Sequence, residues 1–260
     1  MLSRSRAIAA AAAISLVFVT GCGASGDDDE TKSTTTTEAE KPSGDNGVAD
    51  LSAEEILDEA SAALRDAGSV HMAGAIDDDG REIGIDMGLS RDGAAGTLRL
   101  GGDEVKLVVT ADKVYMQGDE SFYRSIGGSA AAKLLGDRWL SVDADSPQGE
   151  DFAGFGDFDS FVDSFLDPGE VTKGDTGEID GTPAIALEDT ETEEDEAGEL
   201  WVATEGEPYP LQVNEKGSDT QKVTLSKHGD EVDVTPPPAD DVIDLDDLRG
   251  NGKGPTTTEG

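Results

Sequence analysis

The chain carries one cysteine in 260 residues, which leaves it no internal disulfide. A domain built from it must be held by its core. Histidine is almost absent: His71 and His228 are the two. Neither has the partner spacing of a metal site or of a base and nucleophile. Gly-x-Ser-x-Gly and His-Glu-x-x-His are both missing. With so little general acid or base equipment, an enzyme is not the expectation, and no motif implies a cofactor. Basic residues are scarce, 19 against 58 acidic, for a net charge of −39. A field of that sign repels nucleic acid and an anionic membrane surface. Long apolar runs are lacking too. The longest, Ala7 to Val19, is broken by Ser15 and falls short of the roughly 20 residues that span a bilayer.

That run follows Met-Leu-Ser-Arg-Ser-Arg and ends in small residues, the pattern of a secretory signal. Val19-Thr20-Gly21-Cys22 resembles a bacterial lipobox, whose cysteine receives a diacylglycerol. The expectation is cleavage after residue 21, lipidation of Cys22, and a membrane anchor on the extracytoplasmic face. Two acyl chains hold a protein stably where one holds it only reversibly. Residues 22–49 are nearly devoid of apolar side chains and read as a polar, Thr-rich tether. Residues 50–248 form the predicted domain, and 249–260 a polar tail.

The domain opens with Ser52-Ala53-Glu54-Glu55, a capping box. Ile56, Leu57, Ala60, Ala63, Leu64 and Ala67 follow at helical spacing, and Gly68 closes the helix. The period then becomes two. Ile83, Ile85, Met87 and Leu89 alternate with polar or small residues, which predicts a half-buried strand. Apolar pairs separated by Gly and Asp turns on either side predict an antiparallel meander. Ala130 to Leu135 predicts a helix, Trp139 to Val142 a strand, and Phe152 to Leu166 a second helical stretch whose start Gly154 and Gly156 weaken. Further strands follow, and Pro236-Pro237-Pro238 is expected to end the last. The acidic segment 189–199 lies between two strands; its spacing matches no calcium loop, and a solvated hairpin tip is expected there.

Several stretches resemble one family. Lys113-Val114-Tyr115-Met116-Gln117-Gly118, Gly136-Asp137-Arg138-Trp139-Leu140, Ile179-Asp180-Gly181-Thr182-Pro183-Ala184, and Leu200-Trp201-Val202 with Pro208-Tyr209-Pro210-Leu211 are similar to actinobacterial envelope lipoproteins of the LppX/LprG type, with a LolA/LolB-like fold. The resemblance implies an α+β fold: a strongly curved antiparallel half-barrel with helices covering its concave face. It also implies an apolar cavity between sheet and helices that takes a lipid. The ligand-facing residues would be Ile83, Ile85, Met87, Leu98, Leu107 and Val109 on the sheet, with Phe158, Phe161 and Phe165 on a helical lid. The other expectation is a non-enzymatic envelope sensor or interaction module with a fully packed core; the sequence names no protein partner.

Overall fold

The computed structural model describes residues 44–78, 81–147, 149–166, 169–190, 198–215, 218 and 220–245. The expected leader, Cys22, most of the tether, the tail, and 191–197 of the acidic segment lie outside the described residues.

Twelve strands make one curved, open and mostly antiparallel sheet. Six run in sequence as neighbours: β1 (Ser69–Asp78), β2 (Arg81–Ser90), β3 (Gly93–Leu100), β4 (Asp103–Val109), β5 (Lys113–Gly118) and β6 (Trp139–Asp143). A second meander contains β7 (Val171–Ile179), β8 (Thr182–Asp189), β9 (Gly198–Ala203), β10 (Pro210–Glu215) and β11 (Lys222–Ser226). The two meet where β11 pairs with β1. Short β12 (Val242–Asp244) lies parallel on β6, so β12 and β7 form the sheet's free edges and the barrel is not closed.

Four α-helices accompany the sheet among the described residues. In α1 (Ala53–Ala67) the capping box forms as expected, with Glu55 N–H on the Ser52 side chain and the Glu55 carboxylate on the Ser52 amide. Gly68 ends α1 in the left-handed conformation, at φ 72°. α2 (Glu120–Leu135) is longer than expected because Asp119 caps it well before the Ala-rich stretch. The expected second helix is divided into α3 (Glu150–Ala153), a 3-10 turn at Gly154–Gly156, and α4 (Phe158–Phe165). Two glycines are costly inside a helix, and Asp157 restarts one by accepting from Ser160 N–H at 3.0 Å.

The folded region reaches back to residue 44, into the stretch assigned to the tether. Asp45 bridges Glu205, and Val48 is buried. At the other end, Val234 to Pro238 are not strand. The last antiparallel strand stops at Ser226, and the chain then runs outside the ladder until β12. Prolines cannot donate to a ladder, and three in a row exclude pairing there.

Cross-strand registration explains the core. Met72 faces Met87, which faces Gly96, then Leu107, Met116 and Leu140 in turn. Val70, Leu89, Ala94, Val109, Val114 and Val142 make the neighbouring row. The large side chains of both rows are buried, in one cluster with Ile56, Ala60 and Leu64 of α1, Phe122, Tyr123 and Leu135 of α2, and Phe158 and Val162 of α4. The helices therefore pack on the apolar face of the sheet. The opposite face carries His71, Asp86, Thr97, Lys106 and Gln117, the alternate residues of the same strands.

Candidate apolar cleft

Burial fades along the apolar face of the first meander. The two rows above are full. One pair outward, Leu98 and Val105 remain buried while Ile85 is half-buried. In the outermost row Ile76 faces Ile83, which faces Leu100. Ile83 and Leu100 are likewise half-buried, and Ile76 is 41% exposed. The row of large aliphatic side chains is thus continuous with the dry core and opens toward solvent at its outer end.

A cleft over Ile83 and Leu100 of this row has about 430 Å³. Sites for small ligands typically run from about 300 Å³ upward, so the space suffices for one. Ile83, Leu100 and Phe122 make its apolar wall; Arg81, Glu82, Asp103 and Ser125 make its rim. The rim mixes both charge signs, and Asp103 is engaged by the Ser121 hydroxyl.

α2 forms one wall, and its first turn is fixed from several directions. Asp119 Oδ1 accepts from Phe122 N–H at 2.9 Å, which holds its carboxyl below the usual carboxylate range. Gly118 is needed for close approach: a Cβ there would stand 2.3 Å from the Phe122 ring. Tyr123 is buried, donates its hydroxyl to the Arg138 carbonyl at 2.8 Å, and accepts from Gly118 N–H at 3.2 Å. Burial pushes its phenol up, so it stays neutral. Beyond this anchored turn, Gly128 breaks the helical path at φ 71°. Only glycine takes that conformation without strain.

A second, smaller cleft of about 270 Å³ lies on α4 and the turn before it, against Phe155 and Phe161. Phe161 stacks on Phe165 with ring centroids 5.1 Å apart. The other side of α4 is solid core, formed by Phe158, Val162 and Leu166. Asp163 pairs with Arg65, tying α4 to α1.

The sequence-derived ligand residues are thus distributed over three environments. Ile83 lines the larger cleft, and Ile85 lies just inside it. Met87, Leu98, Leu107, Val109 and Phe158 sit in the buried cluster. Phe161 and Phe165 lie on the side of α4 that carries the smaller cleft, half-buried. Leu100 and Phe122, which line the larger cleft, were missed. Leu100 shares the period of Leu98 and was legible. Phe122 was not, because Gly127 and Gly128 interrupt the helical pattern after it. No group of His, Cys, Asp and Glu among the described residues is arranged to hold a metal ion.

With this geometry in view, comparison with known proteins yields a fold and no sequence relative. No family model matches, and no curated protein does. Among solved structures, LprF from Mycobacterium bovis aligns over 71% of this chain and 96% of its own, at 15% identity and a TM-score of 0.50. The fold is similar to that of LprF. The resemblance to LppX/LprG-type proteins therefore holds at the level of the fold. An uncharacterized conserved protein from Thermus thermophilus (11% identity, 74% of this chain and 98% of that one, TM-score 0.38) and a DUF1329 family protein from Desulfovibrio piger (11% identity, 67% and 91%, TM-score 0.24) overlap too loosely to add to it.

Proposed function

We propose that this protein is an extracytoplasmic lipoprotein, anchored through Cys22, that holds an apolar ligand of the acyl-chain class in the cleft over Ile83 and Leu100. The observation that carries the reading is the open outer row: the apolar face of the sheet is filled at Met87 and Leu89, only half-buried at Ile83 and exposed at Ile76. The helices lie over the concave face in this reading, and α2 borders the entrance. The LprF-like fold supports it. Binding needs no catalytic group. Removing a ligand chain and this wall from water supplies affinity, at about 0.8 kcal/mol per buried methylene.

The full burial of Met87, Leu107, Val109 and Phe158 favours a second reading, in which the core is closed and the molecule is a sensor or interaction module. Native mass spectrometry of the mature lipoprotein, with displacement of a fluorescent fatty-acyl probe, separates the two. Co-purified lipid, or probe binding weakened by Ile83→Asp, supports the carrier. A lipid-free protein that binds no probe leaves the closed module.

A further inference from the structure

We propose that residues 227–241 are a taut strap across the polar face of the sheet, and that the strap holds the curvature of the six strands carrying the cleft. The strap leaves β11, beside β1, and delivers the chain to β12, beside β6. From β11 to β12 there are seven strand spacings, which at about 4.8 Å each make roughly 34 Å. Eight extended steps from residue 230 to 238 supply only about 27 Å, at about 3.3 Å per residue. The turns at either end, the second of them the 3-10 turn Ala239–Asp241, cover the remaining roughly 7 Å. Three consecutive prolines stiffen the far half.

Contacts show that the strap lies on the sheet. Ser69 Oγ donates to the Asp230 carbonyl at 2.7 Å, and Gly229 N–H donates to the Ser69 carbonyl at 3.1 Å. Val232, Val234 and Pro237 are half-buried, while Glu231, Asp233 and Thr235 between them are exposed. Val232 rests on Gly88, where an added Cβ would stand 2.9 Å from its Cγ1. Both ends are fastened. At the start, the His228 ring stacks on Tyr209 at 4.2 Å, and its Nε2 lies 3.0 Å from the Pro210 carbonyl. At the finish, Asp244 accepts from Lys113 Nζ at 2.6 Å and from Ser141 Oγ at 3.0 Å, joining β12 to β5 and β6. A connection fastened at both ends of a six-strand span limits how far that span can flatten or roll. The cleft lies on the other side of the same strands, so its width is linked to the strap.

The test is a change of length. Three residues, Gly-Ser-Gly, inserted between Pro238 and Ala239 of the mature protein add about 10 Å of reach and keep every contact residue. The same insertion in the Asp180–Gly181 turn, at the β7 edge, is the control. The expected result is amide hydrogen exchange about tenfold faster in β5, β6 and β12 for the strap insertion alone. Exchange in those strands equal to the control overturns the proposal. The link to the cleft rests on the carrier reading and is read separately, as a several-fold change in acyl-probe affinity. If wild type binds no probe, the carrier reading fails while hydrogen exchange still decides the strap.

Discussion

Replacing successive apolar residues of β2 by alanine should trace the boundary between core and cleft. Leu89, Met87 and Ile83 lie on one face of one strand, two residues apart or four, so backbone context is shared. Leu89 and Met87 have no exposed surface. Truncation there leaves a void in packed surroundings and should cost about 2–5 kcal/mol. Ile83 borders open solvent. Full burial of such a side chain contributes about 1.5–3 kcal/mol, and half-burial with no trapped void brings the loss to about 1 kcal/mol. With a urea m-value of about 2 kcal/mol/M, Met87→Ala should lower the midpoint by about 1.5 M and Ile83→Ala by about 0.5 M. Equilibrium urea unfolding followed by far-UV circular dichroism measures both. The acyl probe should respond in the opposite order, weakening for Ile83→Ala and hardly for a folded Met87→Ala. Equal midpoint losses at the two positions would show that Ile83 is as enclosed as Met87, and the cleft would not exist as described.

Within α4, Phe158→Ala should cost about 3–5 kcal/mol and Phe161→Ala clearly less, since Phe161 forfeits a ring pair worth about 0.5–1.5 kcal/mol and only part of its burial; similar losses in thermal unfolding would make α4 core on both sides. Asp157 accepts from Ser160 N–H and is thereby held below the usual carboxylate range, so its cap contributes above the unfolded pKa of about 3.9 and is lost as pH falls through the folded value. Asp157→Asn caps at every pH, so wild type should lose stability relative to the variant on acidification below about pH 4, and parallel pH curves would contradict this. A net charge of −39 repels itself in the compact state, so the unfolding temperature should rise on adding salt to about 1 M, where the screening length is about 3 Å; a flat response would mean the charges are already spaced beyond influence. Cys22→Ala should release the protein from the membrane fraction on cell fractionation, and undiminished membrane partitioning would place the anchor elsewhere.

Much of the fold is local in origin and was legible. Ser52, Glu55 and Gly68 bound α1 by hydrogen bonds within one turn, so the sequence specified its ends. The period-two run of β2 and the Gly and Asp turns around it specified an antiparallel meander, because adjacent strands share one face pattern. Tertiary structure alone decided which apolar residues are core and which line an opening. Met87 and Ile83 belong to the same alternating pattern and differ only in what covers them, a property of helices distant in the chain. The small residues are a similar case. Nothing local marks Gly88, yet it is covered by Val232, far along the chain. Periodicity records which face of an element is apolar; it carries no information on how far the opposite wall stands from it, because that distance is set by long-range packing.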